Sequence, residues 1–481
     1  MRASPPRIMI AALKGGSGKT VVSLGLARAW KDMGLAIAPF KKGPDFIDPG
    51  WLGLAAGRPC HNLDSFMMSP DSMVFSFLSH TRSADLGLIE ANRGIFDGLD
   101  MEGGCSSAEL AHLLRAPVIL IVDVSMTTRT VAALVKGCQV FDPDMDLRGV
   151  ILNRVGGGRQ EKVIRGAVEH YCAIPVIGSI KRMPQSPFPE RHMGLFPHRE
   201  QEKGEEAVAW AGELIRNSLD LDALWAIGRT APTLELEAHL KRPVLRVGSS
   251  GREALRPRIG VIRDRAFWFY YPENLTALEE LGAELVEINA LSDPAMPEVD
   301  ALYIGGGFPE TQAEALAENQ AFLEDLRRLI EEGLPVYAEC GGLVYLGEAL
   351  VVGGSVYPMT GALPVRFVLE KKPQGHGYTI LEAVRENPYY EKGTVLRGHE
   401  FHYSRPVFTG PGEPVEPVFK VRRGRGLNGE WDGLTRKNVL AVYTHVHAAG
   451  TPFWAEHLVE KALEFLVCNG GRDRIAVEKG D

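Results

Sequence analysis

Cysteine is scarce in this sequence. The six residues are Cys60, Cys105, Cys138, Cys172, Cys340 and Cys468, and none forms a C-x-x-C pair. Such spacing excludes a disulfide scaffold and fits no usual zinc site. A reduced, cytoplasmic chain is the expectation. Long apolar runs are also missing: the longest strongly apolar stretch, Pro117–Val122, is far too short to span a bilayer. The first seven residues lead into only a few apolar ones before a Gly-rich loop, which does not fit a secretory signal. No membrane partner is therefore expected. Basic residues are not in excess either: 53 Lys+Arg face 61 Asp+Glu, a formal net charge of −8. That balance gives no electrostatic case for nucleic acid.

The 481 residues exceed one ordinary domain, and 45% of them are hydrophobic, enough for two cores. Residues 7–13 read as a short buried strand. Val21, Leu24, Ala27 and Trp30 then recur at helical spacing until Gly34. Leu35–Phe40, Leu86–Ile89, Val118–Val122 and Gly149–Leu152 read as further strands. A charged helix is expected from Glu200 to Ile215. A second series starts at Ile259–Ile262 and continues through Leu285–Ile288, Ala301–Ile304 and Pro335–Ala338. Strands alternating with helices predict α/β domains built on parallel sheets. The expected organisation is a first domain over 1–225, a connector over 226–257 and a second domain over 258–470.

Glycine is abundant, with 53 residues, and it gathers at a few places. Leu13-Lys14-Gly15-Gly16-Ser17-Gly18-Lys19-Thr20 lies between a predicted strand and a predicted helix. Glycines let backbone N–H groups turn inward around phosphate oxygens, and the helix N-terminus adds its positive dipole end. In this pattern Lys19 reaches the β/γ-phosphates and the Thr20 hydroxyl ligates Mg²⁺. The usual first glycine is replaced by Leu13, so the loop matches a variant form with an extra lysine. Two readings stay open for Lys14: contact with a phosphate across a homodimer, or plain solvation. Five carboxylates fall at or after predicted strand ends: Asp45, Asp48, Glu90, Asp97 and Asp123. Mg²⁺ takes one or two carboxylates beside phosphate oxygens, so not all five serve it.

A second cluster starts at Val336-Tyr337-Ala338-Glu339-Cys340-Gly341-Gly342, which reads as strand, sharp turn and helix. A cysteine on such a turn projects from the sheet edge and meets a helix N-terminus, which favours thiolate. Upstream, Gly305-Gly306-Gly307 ends another strand and offers N–H groups, those of Gly306 and Gly307 above all, to an oxyanion. Downstream, His445 and His447 are two candidate bases. His399 and His402 lack a third metal ligand, so structural or substrate-contact roles are expected for them.

The second cluster resembles a class I glutamine amidotransferase. The first resembles the dethiobiotin-synthetase-like ATP-binding fold. Both occur in this order with Lys42–Asp48, Gly94–Gly98, Tyr271–Leu275, Gly305–Glu310 and Gly398–Ser404. On those motifs, from residue 7 to about 465, the chain is similar to the cobyrinic acid a,c-diamide synthase family. The resemblance implies two doubly wound α/β domains, with ATP and Mg²⁺ as cofactors. It implies L-glutamine and a tetrapyrrole carboxylate as substrates. Glutamine would be hydrolysed at Cys340, and the ammonia would displace phosphate from an activated carboxylate. It also implies His445 as base, Asp45, Asp48, Glu90 and Asp97 in service of Mg²⁺, ATP and substrate activation, and Asn153 against adenine.

Two departures matter. Many amidotransferases carry Glu two residues after the histidine, and here that residue is His447, so the third triad member is absent or supplied elsewhere. The loop Leu13–Gly16 and the segment Lys371–Tyr378 resemble the branch that amidates sirohydrochlorin or siroheme, linked to dissimilatory sulfite reductase. Both substrates stay open at this point. The rival of another class is a variant-phosphate-loop ATPase switch, which Lys14 favours and a second domain bearing Cys340 does not.

Overall fold

The computed structural model describes residues 2–183, 188, 190–191, 194–195, 203–235, 255–408 and 416–469. Most of the expected connector, residues 236–254, lies outside them, as do residues 200–202 at the start of the expected charged helix. The chain divides into two compact units, Met1–Leu240 and Lys241–Asp481. Among the described residues, no helix is long and apolar enough to cross a membrane.

The first unit is built on seven strands: β1 (Arg7–Ala12), β2 (Ile37–Lys42), β3 (His61–Leu63), β4 (Leu86–Glu90), β5 (Val118–Asp123), β6 (Leu147–Val155) and β7 (Val176–Lys181). They lie in the order β3-β2-β4-β1-β5-β6-β7, every pair parallel. All six residues of β1 are buried, as expected for a parallel strand covered on both faces. The chain leaves β1 to one side of the sheet and later returns to build the other, so the end of β1 is a topological switch point. The phosphate loop leaves β1 at that point and runs into helix α1 (Lys19–Asp32).

β2 begins and ends two residues later than the sequence pattern indicates, because the turn at Gly34 consumes Leu35 and Ala36. Lys41 and Lys42 thus belong to a buried strand. The short strand β3 and the strand β7 do not show in the hydrophobic pattern.

The second unit has a six-stranded sheet of β8 (Arg258–Ile262), β9 (Glu284–Ile288), β10 (Ala301–Ile304), β11 (Val336–Glu339), β12 (Leu434–Arg436) and β13 (Val439–Val442). Their order is β9-β8-β10-β11-β13-β12, parallel except for the terminal β12–β13 hairpin. Residues alternate between two cores. Val261, Tyr303, Tyr337 and Leu440 pack with Trp454 and Leu458 of the C-terminal helix Phe453–Cys468. Ile304, Val336, Ala338 and Ala441 pack on the opposite face with Phe322 and Leu326. A separate five-stranded antiparallel sheet includes Gly375–Ala383, Val395–His402 and the short strand His445–Val446. Tertiary pairing, not local pattern, therefore decides where His445 goes.

Candidate active sites

In the first unit the phosphate loop turns through left-handed backbone at Gly16 and Gly18, with φ of 70° and 95°. A side chain at Gly18 would be strained, and its Cβ would overlap Asn153 Nδ2. Asn153 donates that amide to the Ser17 carbonyl at 2.8 Å. The structure thus seats Asn153 on the loop backbone. Lys14 and Gly15 lie at the loop's outer edge, where both are exposed.

Lys19 Nζ donates to the carbonyls of Arg93 (2.6 Å) and Lys14 (3.4 Å). Burial, with Lys41 nearby, holds its pKa below the ordinary lysine value. The Gly94–Gly98 motif lies against the start of the loop, with the Ile95 N–H donating to the Ala12 carbonyl at 2.8 Å. Within that motif Asp97 accepts the Gly94 N–H at 2.8 Å, and its charge acts on Lys19.

Behind the loop a carboxylate cluster gathers. Thr20 Oγ1 donates to Glu90 Oε1 at 2.7 Å and lies 3.3 Å from Asp48 Oδ2. Lys41 Nζ, which the sequence pattern did not single out, sits 2.6 Å from Asp48 and 2.8 Å from Glu90. Asp45 accepts the N–H groups of Ile47 and Asp48. Burial, reinforced by the Asp48 charge, pushes Asp45 up to about 7. Burial also raises Glu90, while Lys41 overcomes burial at Asp48 and lowers it. Thr20, Asp45, Asp48 and Glu90 are thus brought together. Asp123 is not part of this cluster by its contacts: it is paired with Arg154 at 2.7 Å and accepts the Ser125 N–H. The buried Glu90 Oε2 has no hydrogen-bond partner among the described residues, and a divalent cation would satisfy it.

In the second unit Cys340 follows β11 with φ 48° and ψ −98°, a strained backbone for a non-glycine residue. Its N–H is held by the Val442 carbonyl at 2.7 Å, and its thiol points to the Phe401 carbonyl at 3.5 Å. Burial, then the charge of Glu310, pushes the thiol well above its ordinary range, and the Gly341 N–H only partly offsets them. The expectation that the helix start favours thiolate is therefore corrected. Burial of the thiol and the nearby Glu310 carboxylate outweigh the Gly341 N–H at the start of the helix Gly341–Leu346.

His445 is buried, stacks on Phe269 at 4.0 Å and presents Nδ1 to Glu339 Oε2 at 3.1 Å. Its Nε2 lies 3.0 Å from where a Cβ on Gly306 would stand. The Gly305 N–H is taken by the Tyr270 hydroxyl at 2.8 Å. Gly307 follows with φ 156° and packs against Gly341. His447 occupies different surroundings: its ring lies 4.8 Å from Tyr271, its Nε2 3.5 Å from Glu273, and its Nδ1 accepts the Ala449 N–H. His399 pairs opposite His445 across the strands and is pushed down to about 3 by burial, so it is neutral. His402 meets the Ser404 carbonyl at 2.9 Å and stacks on Tyr443 at 3.6 Å. Lys41 and Glu339 are the groups that sequence patterns passed over. Each is a charged residue at the end of an apolar strand, and such a residue requires a partner.

Comparison with known proteins agrees with this architecture. Residues 8–195 match the CobQ/CobB/MinD/ParA nucleotide binding domain. Residues 258–453 match the CobB/CobQ-like glutamine amidotransferase domain. The chain is 43% identical to a cobyrinate a,c-diamide synthase of Magnetococcus marinus, over 94% of this chain and 96% of that protein. It is 40% identical to the synthase of Archaeoglobus fulgidus, over 95% and 98%. For the synthase of Dehalococcoides mccartyi the identity is 38%, over 96% and 99%. The chain therefore belongs to the cobyrinate a,c-diamide synthase family.

Proposed function

We propose that this protein amidates the a and c side-chain carboxylates of cobyrinic acid, using glutamine as nitrogen donor and ATP as the energy source. The observation that carries this reading is the presence in one chain of two built sites. One is a phosphate loop backed by Thr20, Asp48 and Glu90, and the other is an elbow cysteine whose preceding residue, Glu339, meets the buried His445. The near full-length identity to named cobyrinate a,c-diamide synthases supports the substrate.

In the glutaminase half, Cys340 Sγ attacks the glutamine carboxamide while His445 accepts the thiol proton. The buried thiol is a weak acid here, so a base is required. N–H groups at Gly306 and Gly307 stabilise the oxyanion. Collapse gives a thioester and ammonia, and water then releases glutamate and restores the thiol.

In the ATP half, a side-chain carboxylate oxygen attacks the γ-phosphorus and ADP leaves. Ammonia displaces phosphate from the acyl phosphate and leaves an amide, so each amide consumes one ATP and one glutamine. Lys19 and the loop N–H groups hold the phosphates. Thr20, Asp48 and Glu90, with Asp45 beside them, would hold Mg²⁺, which neutralises charge on the phosphates when bound. Asn153 fixes the loop from its far side and is the residue proposed to meet adenine. Asp97 tunes Lys19. Lys14, at the loop edge, is the residue through which a homodimer would act. The six cysteines are free thiols, consistent with a reducing cytoplasm.

The test incubates the full-length protein with cobyrinic acid, ATP and either glutamine or free ammonia, and reads amide products by mass. Two amidations are expected from both nitrogen sources. Cys340→Ala should lose glutamine use and keep ammonia use, and Lys19→Ala should lose both. Failure of ammonia to rescue Cys340→Ala would sink the two-site reading. Amidation of sirohydrochlorin in place of cobyrinic acid would overturn the substrate.

A further inference from the structure

Glu339 is the last residue of β11 and directly precedes the nucleophile. It is buried, and among the described residues its carboxylate bonds to the segment that carries His445 and to Tyr303, part of a chain of side chains that clamps that segment. Oε2 lies 3.1 Å from His445 Nδ1, and Oε1 accepts the Val446 N–H at 3.2 Å. The Tyr303 hydroxyl donates to Oε2 at 3.2 Å and itself accepts from Asn274 Nδ2 at 3.2 Å. Asn274 also donates to the Val446 carbonyl (2.9 Å) and accepts the Ala448 N–H (2.7 Å). Tyr303 pairs with Tyr337 across β10 and β11, so Glu339 sits one diagonal step further along the same face.

We propose that Glu339 is the positioning residue that completes the Cys340–His445 pair as a triad, with Asn274 and Tyr303 fixing its carboxylate. This assignment rests on the reading of Cys340 as nucleophile and His445 as base. A carboxylate at Nδ1 holds the proton on that nitrogen, leaves Nε2 open to accept the thiol proton, and stabilises the imidazolium that results. The need is acute in this site, because burial and the charge of Glu310 oppose spontaneous ionisation of the thiol. Among the described residues, Glu339 of β11 meets the imidazole at Nδ1, Tyr303 of β10 bonds to that carboxylate, and His399 faces His445 from the paired strand. His399 is held neutral by burial, which leaves Glu339 as the group able to supply the countercharge. The carboxylate therefore reaches the histidine from the residue before the cysteine rather than from the residue two after the histidine. The Tyr271–Leu275 motif gains a role as well, since its Asn274 ties the histidine segment to Tyr303.

The test measures glutamine hydrolysis by the full-length wild type, Glu339→Gln, Glu339→Asp and Tyr303→Phe across a range of pH. Glu339→Gln should lower kcat roughly 10²–10⁴-fold with the KM for glutamine nearly unchanged. Loss of the carboxylate destabilises the imidazolium, so the acidic limb of kcat/KM should move to lower pH. Glu339→Asp should recover part of the rate, and ammonia-driven amidation should persist in both variants. A glutaminase rate within about threefold of wild type, with the acidic limb unmoved, overturns the assignment. If Glu339→Gln loses ammonia-driven amidation as well, its fold is damaged and Tyr303→Phe decides. That variant keeps the carboxylate but removes the Tyr303 hydrogen bond that orients it, and an unchanged kcat there overturns the proposal. Glutaminase activity surviving in Cys340→Ala would instead overturn the underlying reading of the elbow, whatever Glu339 does.

Discussion

The ammonium of Lys41 lies 2.8 Å from the carboxylate of Glu90, with the two side chains 2% and 0% exposed. Asp48 shares the same ammonium at 2.6 Å. One lysine thus compensates two carboxylates behind the phosphate loop. Burial alone would lower its pKa, and the two carboxylates reverse that and raise it.

Lys41→Met should leave two poorly hydrated carboxylates without their countercharge and cost roughly 3–5 kcal/mol. Urea unfolding followed by tryptophan fluorescence measures it. Glu90→Gln in the Lys41→Met background should restore part of the loss, because it removes one of the uncompensated charges. Losses that simply add across the double-mutant cycle would show that the pair is not coupled.

Asp45 carries a pH signature. Its folded pKa, raised to about 7, lies above its unfolded value, so between about pH 4 and 7 the folded protein binds more protons than the unfolded chain. Its contribution to stability therefore falls as pH rises through that window. Asp48 has the opposite sign, and the stability it contributes is lost as pH falls through its lowered pKa. Asp45→Asn should accordingly gain stability relative to wild type as pH rises from about 4 to about 7. Parallel melting curves across that range check it, and a constant difference would refute it.

Gly306→Ala would place a Cβ in overlap with His445 Cε1 and 3.0 Å from its Nε2. The imidazole must shift, and a displacement on the order of 1 Å costs about 10²-fold in rate. Glutaminase kcat should fall by that amount while ammonia-driven amidation continues. Equal loss of both activities would point to general unfolding instead.

Asn153→Ala removes the donor to the Ser17 carbonyl and opens space beside Gly18. Loss of one such hydrogen bond is worth about 0.5–1.5 kcal/mol, so the KM for ATP should rise roughly three- to tenfold. Glutamine hydrolysis measured alone should not change. An unaltered KM for ATP would remove Asn153 from the nucleotide site.

Much of each site is legible in the sequence because it is local. The phosphate loop is contiguous, and its left-handed turns at Gly16 and Gly18 need glycine whatever the rest of the chain does. The elbow at Cys340 is likewise a strand, one strained residue and a helix start. Lys41 escapes notice for a small reason: β2 runs two residues further than its apolar pattern, so the lysine looks like loop. Glu339 is visible as a charged residue closing an apolar strand. Nothing nearby in sequence names its partner, which lies 106 residues away.

Two α/β units, a phosphate cradle after the first strand and a cysteine at a strand-to-helix turn all follow from the order of the residues. Short-range rules of backbone freedom, hydrophobic period and helix starts are enough for them. Which histidine meets Glu339, which carboxylates share Lys41 and whether the thiol rests protonated are settled at a higher level. Each depends on strand pairing between distant segments and on the exclusion of water, and neither is encoded in any one stretch of chain. Strand register sets distances to within a hydrogen bond, and burial sets the cost of each charge.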